Sequence, residues 1–264
     1  MSTAGKLLRF CLFCWKLNLA GALEFRLNFL LTAGMMLINN TVWIFFWGVY
    51  FTSFPIVNGW ELTDVMMMWA IGTIGFGLSA TLFGNSLQIA NIVANGRLDV
   101  YLAQPKPVLL HVLVSRMSLS AIGDVLFGVI LYGIFGDHSL IGVLRFVLAS
   151  VLATVFFVFF HVLSQSLAFY IGNAEGIGYQ LFNIFITFST YPTDIFKGWV
   201  RLLLFSVIPA GFISYMPIGL LRNADFSFLL WAGAAALVLT AAALFVFYRG
   251  LARYSSGNQI GLRM

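Results

Sequence analysis

Charged residues are scarce in this chain, making up 9% of its 264 residues, with 14 basic and nine acidic side chains. No polar stretch is longer than a short loop, so nothing is left over to build a separate water-soluble domain. The nine acids are scattered singly, which argues against membrane enzymes of phosphate or acyl chemistry, since these need acids or histidines gathered on one aqueous face. The basic residues form no run or stripe of the kind a nucleic-acid surface requires. Cysteine is limited to Cys11 and Cys14, a lone C-x-x-C with no strand beside it and no second pair to complete a metal site; at helical spacing the two also read as small hydrophobes. The sequence has no G-x-x-x-x-G-K-S/T phosphate loop, and its one Gly-Lys pair, Gly5-Lys6, is followed by Leu7, so the chain cannot hydrolyse ATP through that motif alone. Gly77-Leu78-Ser79-Ala80 together with His161 has the rough ingredients of an intramembrane Ser–His dyad, but Ala80 stands where such a motif carries glycine. No internal repeat is evident.

Apolar side chains are abundant instead. They form 61% of the chain, the mean hydropathy is +0.97, and 28 Phe, 7 Trp and 9 Tyr are spread over the whole length, an excess that a lipid-facing exterior explains. The pattern predicts an all-α membrane protein, one permease-like domain over 1–264 with six transmembrane helices. Five apolar stretches are long enough to span, at about 27–54, 63–90, 108–136, 143–171 and 228–249, and a sixth crossing is expected at 175–191. Residues 192–222, interrupted by Pro209 and Pro217, are expected to form a broken pair of helices that re-enter the outer side before the last span, where non-helical backbone needs protein or a water-lined cavity to satisfy it. A crossing by 199–221 is the alternative.

The first residues, 1–26, are not expected to be a cleavable signal, because Lys6, Arg9 and Lys16 interrupt the apolar run and no small-residue cleavage site follows. On a helix, Lys6, Arg9, Lys16 and Glu24 fall within an arc of roughly 80°, while Leu8, Leu12, Trp15 and Leu19 face largely away, the pattern of an amphipathic helix lying in the membrane surface. With the N-terminus inside, the inner face carries Lys6, Arg9, Lys16, Arg26, Arg97, Lys106, Arg249, Arg253 and Arg263 against Glu24, Asp99 and Glu175, a net of +6. The outer face carries Arg145, Lys197, Arg201 and Arg222 against Glu61, Asp64, Asp137, Asp194 and Asp225, a net of −1. This asymmetry favours both termini in the cytoplasm, with Lys197 and Arg201 as exceptions.

Three groups of residues are candidates for function. The inner loop 91–107 contains a brief helix predicted from Arg97 to Gln104 and stopped by Pro105; Arg97, Leu98, Asp99, Tyr101, Leu102 and Gln104 either meet a cytoplasmic partner or rest on the bilayer. Polar groups inside the spans, Asn39, Asn40, Arg116, Asp124, His161, Gln165 and Asn183, either line a pathway, possible for a cationic or zwitterionic substrate, or bond between helices. Asp124 is the strongest of these, two helical turns beyond Arg116 on a continuous third span. In the outer segment, Tyr191, Pro192, Asp194, Trp199, Pro209 and Pro217 form a candidate gate, while Trp43, Trp47, Tyr50 and Phe54, with Tyr191 and Trp199, suit an interfacial aromatic belt or, as the alternative, an aromatic substrate cage. Gly72, Gly75, Gly77, Ala80 and Gly84 read as packing positions.

The motif Gly96-Arg97-Leu98-Asp99-Val100-Tyr101-Leu102-Ala103-Gln104-Pro105 resembles the coupling helix of the ABC type-2 exporter permeases. Tyr191-Pro192-Thr193-Asp194-Ile195-Phe196-Lys197-Gly198-Trp199, with Ile208-Pro209 and Met216-Pro217, is similar to their re-entrant outer helices. The resemblance covers essentially the whole chain and rests on the order and spacing of degenerate motifs. It implies a permease subunit of the bacterial cytoplasmic membrane that exports an unidentified substrate by alternating access, without covalent chemistry of its own. It also implies a cytoplasmic ATPase partner that carries ATP and Mg, and a second permease copy or a related permease. A secondary transporter without an ATPase is the rival expectation.

Overall fold

A computed structural model describes residues 3–171, 174–223 and 226–255. Asp225 and Arg263, counted above on the outer and inner faces, lie outside the described residues. Among those described the regular secondary structure is all helical, apart from one isolated bridge between Val57 and Trp60, with short turns and loops between the helices. The helices are α1 (Thr3–Glu24), α2 (Arg26–Ser53), α3 (Leu62–Leu82), α4 (Ile89–Ala94), α5 (Asp99–Leu102), α6 (Val108–Val114), α7 (Ser120–Phe135), α8 (Leu140–Gln165), α9 (Ala174–Ser189), α10 (Trp199–Leu204), α11 (Gly211–Ser214), α12 (Met216–Asn223) and α13 (Phe226–Leu251). Among the described residues four stretches are long and apolar enough to cross a membrane: Arg26–Ser53, Leu62–Leu82, Leu140–Phe169 and Ser227–Leu251; Ser120–Phe135 is apolar but shorter.

Two expected spans are not single helices. The stretch 63–90 stops being α-helical at Leu82 and continues as a 3-10 turn, Gly84–Gln88, before α4. The stretch 108–136 is divided into α6 and α7 by the non-helical residues around Arg116, so Arg116 and Asp124 do not share one helical register. The cause is reciprocal. The Gly84 amide donates to the Arg116 carbonyl at 3.1 Å and the Ser118 amide donates to the Ala80 carbonyl at 3.0 Å, so each interruption supplies the partners that the other lacks. A Cβ at Gly84 would sit 2.7 Å from the Arg116 oxygen, which fixes glycine there. Asn85 Nδ2 adds a bond to the Val112 carbonyl at 3.0 Å. Apolar surroundings leave no water to satisfy broken helices, so these internal partners are required.

Helix α1 completes the same junction. Its Trp15 indole donates to the Leu82 carbonyl at 2.7 Å and Asn18 Nδ2 to the Val114 carbonyl at 3.3 Å, covering the last turns of α3 and α6. Trp15 therefore belongs to the docking strip of α1, with Phe10, Cys11, Cys14 and Ala22, rather than to the outward Leu8, Leu12 and Leu19. Burial in this strip pushes both thiols above the ordinary cysteine value, so neither is an activated nucleophile.

Helix α3 is central and packs most extensively against α7 and α8. Small residues make the approach possible: a Cβ on Gly75 would lie 2.6 Å from Ala153 Cβ, one on Gly77 2.7 Å from Val125, and one on Gly128 2.7 Å from the Ala70 carbonyl. Around this crossing lies one hydrophobic cluster with Trp47, Met66, Met68, Phe156 and Ile213; a second, with Ile89, Leu98, Val112, Val162 and Phe247, fills the end that holds α4, α5 and α6.

The charges sort by end. Lys106 lies over the Phe10 ring, Arg253 over Tyr170, and Asn91 donates to Glu175, all at the α1 end. At the opposite end Arg222 pairs with Asp64 and Arg201 with Asp194 at 3.2 Å, while the Trp60 indole donates to Asp194 at 3.0 Å. No described ion pair joins the two groups. Arg201, anomalous under the charge rule, thus sits with the acids assigned to the outer face. Within 192–223 the chain forms only short pieces, and α11 and α12 pack on α3 and α8; 199–221 is not a continuous helix.

Replacing Gly75 by Leu should lower the thermal midpoint of the purified protein by several degrees, since overpacking a close crossing costs about 1–3 kcal/mol. Gly133, with open space around it, should accept the same change with little effect. Equal midpoints for the two variants would contradict this packing account.

Candidate functional site

The turn at 95–104 is built on a buried anchor. Helix α5 covers only Asp99–Leu102, shorter than the expected Arg97–Gln104, and Leu98 precedes it with its side chain fully buried in the second hydrophobic cluster. Leu98 therefore faces the protein instead of the solvent, and its role is to hold the turn in place. Gly96, at φ +67°, reverses the chain, and the Arg97 amide closes back on the Ile92 carbonyl at 2.9 Å. Arg97, Asp99, Val100, Leu102 and Gln104 are left exposed, and Tyr101 is half-buried, edge-on to His111 at 4.9 Å. Tyr254, beyond the end of α13, packs against this cluster; burial first, then the neighbouring Asp99 carboxylate, pushes its hydroxyl up to about 12. The turn is thus a small polar and apolar knob fixed to α4, α6 and the end of α13.

The intramembrane candidates separate into two places. Asn40 on α2 donates from Nδ2 to Asp124 Oδ1 on α7 at 2.7 Å, and both side chains are buried. They line a cavity of about 320 Å³ between α2, α3 and α9, together with Asn39, Trp43, Trp69 and Thr73. Asp124 is held there because Gly123 lets α7 approach the α2 backbone: a Cβ at that position would meet the Ala33 carbonyl. His161 and Gln165 lie elsewhere, fully buried under the interrupted helix. His161 Nδ1 is 3.4 Å from Ser86 Oγ, and Gln165 Oε1 accepts the Ala90 amide at 3.2 Å. Arg116 is exposed at the break and Asn183 half-buried on α9; neither lines the cavity. Of the seven predicted pathway residues, the cavity gathers three.

A second cavity of about 470 Å³ shares Thr187 and Tyr191 with the first and is walled by aromatic residues, including Trp47, Tyr50 and Trp60. Tyr191, Pro192 and Asp194 of the expected outer gate line it. Trp199 is 81% exposed, while Pro209 and Pro217 are buried among the short helices of 192–223. Sequence reasoning missed Trp69 and Thr73 as cavity residues. Trp69 lies in a uniformly apolar helix, and the Thr73 hydroxyl is bonded to its own helix at the Trp69 carbonyl, so neither stands out in a hydropathy pattern.

Comparison with known families gives a match to the one described as ABC-2 family transporter protein, over residues 37–257. No curated protein and no solved structure matches the chain.

The Asn40–Asp124 bond makes a direct prediction. Asn40→Leu strands a buried carboxylate without its donor and should cost about 1–3 kcal/mol, whereas Asn40→Leu with Asp124→Leu should recover most of that loss. Thermal unfolding in a mild detergent checks this; a double variant less stable than Asn40→Leu alone would show that the bond is not what orders this contact.

Proposed function

Because the chain belongs to the ABC-2 transporter family, we propose that it is the membrane permease of an ATP-driven exporter, powered by a separate cytoplasmic ATPase that holds ATP and Mg. The observation that carries the coupling part of this reading is the inner turn. Its exposed Arg97, Asp99, Val100, Leu102 and Gln104 are mounted on a wholly buried Leu98, so a push on the knob moves α4 and α6 as a body instead of bending a loose loop. Those short helices meet α3 and α7 across the paired interruptions, which gives the motion a place to pivot between the two cavities and the ATPase.

In this reading the α1 end is cytoplasmic, in a bacterial inner membrane. Six crossings follow: α2, α3 with α4, α6 with α7, α8, α9 and α13, with 192–222 folding back at the outer end. Helix α1 lies in the inner surface. Its docking strip is turned to the bundle, Leu8, Leu12, Leu19 and Leu23 to the acyl chains, and Lys6, Arg9 and Lys16 to water and anionic headgroups. Only 11% of the most apolar window of α2 is buried, which leaves room for a second permease copy or a related permease beside it. Substrate would leave through the cavities between α2, α3 and α9 as they close from the inside and open outward.

Two experiments test the proposal. A mild-detergent pull-down of the tagged chain from its native cells should recover an ATPase subunit, and Arg97→Glu with Asp99→Lys should reduce its retention and abolish transport while membrane insertion stays normal. Leu98→Ala should instead destabilise the turn, by about 2–4 kcal/mol for an emptied core site. Repeated recovery without any ATPase, under conditions that preserve known transporter complexes, would overturn the coupling reading in favour of a secondary transporter. For topology, in a Cys11→Ser, Cys14→Ser background, His138→Cys should react with an impermeant maleimide from outside and Gln104→Cys only after the membrane is opened; the reverse pattern would invert the orientation.

A further inference from the structure

We propose that the cavity at Asn40 and Asp124 binds the head of an organic ammonium cation, with Asp124 as its counter-charge and the neighbouring aromatic cavity holding its apolar body. The assignment rests on the permease reading for its transport role and on the following geometry for its chemistry.

Asp124 is 2% exposed and lines the 320 Å³ cavity, yet only one of its oxygens is bonded: Oδ1 accepts from Asn40, while Oδ2 has no donor among the described residues. A buried carboxylate oxygen without a partner is costly enough to need an explanation, and no basic side chain lines the cavity to neutralise it. A cation entering from outside the chain supplies both the missing charge and the missing donor. The walls select its type. Trp43 and Trp69 stack at 5.3 Å beside the carboxylate, and Phe76 and Phe157 complete an aromatic lining that attracts an alkylated ammonium through the ring faces. A bare metal ion is favoured by several carboxylate or imidazole ligands, whereas Asp124 is the one acid lining this cavity and no cluster of His, Cys, Asp or Glu of metal-binding kind occurs among the described residues.

A second orphan points the same way. The Trp69 indole N–H is also buried without an acceptor, so a guest carrying a carbonyl or hydroxyl near its ammonium would satisfy both unmatched groups at once. Beyond Thr187 and Tyr191 the larger cavity is walled mainly by aromatic and aliphatic side chains; its one acid, Asp194, is engaged by Arg201 and Trp60, and its Trp47 indole is likewise unpaired. The two spaces together suit an amphiphilic amine whose charged end rests on Asp124 and whose hydrophobic end points toward the outer segment.

The test is equilibrium binding of radiolabelled benzyltrimethylammonium to the purified full chain in neutral detergent, without ATPase or nucleotide. Saturable binding is expected, weakened at least about tenfold by Asp124→Asn and several-fold by Trp43→Leu. The uncharged isostere neopentylbenzene should compete poorly. Asn40→Leu with Asp124→Leu, shown folded by its thermal midpoint, should not bind. Absence of binding to the unaltered chain, undiminished binding to Asp124→Asn, equal competition by the neutral isostere, or displacement by sodium at matching concentration would each overturn the ammonium site. None of these outcomes depends on recovering an ATPase, so failure of the site and failure of the exporter reading are told apart.

Discussion

The structure depends on one constraint: a helix interrupted in apolar surroundings must find partners for every amide and carbonyl it sets free. The chain meets it by breaking two neighbouring helices at the same level and crossing their hydrogen bonds, Gly84 to Arg116 and Ser118 to Ala80. The carbonyls at the ends of α3 and α6 are then covered from the side by Trp15 and Asn18 of α1. Several features follow from this junction. Gly84 is required, α1 is tied to the bundle by polar groups on its inward strip, and the α4–α6 end forms a body with its own hydrophobic cluster. A bundle of uninterrupted helices would be simpler to satisfy but would offer no weak plane across which its two ends could move.

The opposite end is closed by different chemistry. Asp64 accepts the Glu61 amide at 2.8 Å, so it caps α3, and it also receives the Arg222 guanidinium from α12. Arg222 in turn reaches the Gly59 carbonyl at 2.7 Å, and Trp60 reaches across to Asp194. Charge and indole groups thus tie the segment 192–223 to the start of α3. Asp137 is held below the ordinary carboxylate range by the backbone amide and hydroxyl of Ser139, the residue whose hydroxyl also caps α8 at Gly142. One end is therefore ordered by backbone satisfaction and apolar packing, the other by capping and ion pairs.

Much of this was legible in the residues. Long apolar runs located α2, α8 and α13 to within a few residues, because their length and uniformity leave no other assignment. The side-sorting of Lys and Arg grouped charges that the fold keeps at separate ends, and Asp124 stood out as an acid in a run of Leu, Phe, Val and Ile. What sequence could not show was pairing across the chain. Nothing local in Ser115-Arg116-Met117-Ser118 marks a helix end; the break exists because Ala80 and Gly84 are there to receive it. Leu98 looked like a contact surface beside Asp99 and Tyr101, and only the placement of α6 and α13 turns it inward. Of the polar intramembrane residues, Asn40 and Asp124 were recognisable one by one, but their bond and the cavity beside it depend on Gly123 drawing α7 against α2.

The reciprocal interruption also orders events during synthesis. The amide of Gly84 leaves the ribosome before the carbonyl of Arg116, and the Ala80 carbonyl before the Ser118 amide, so the first broken segment enters the bilayer with bonds that nothing yet made can complete. Until the second segment is made, water or another polar group has to take the place of those partners. The junction is therefore complete only when both segments lie side by side, so neither interrupted helix is fully satisfied without the other.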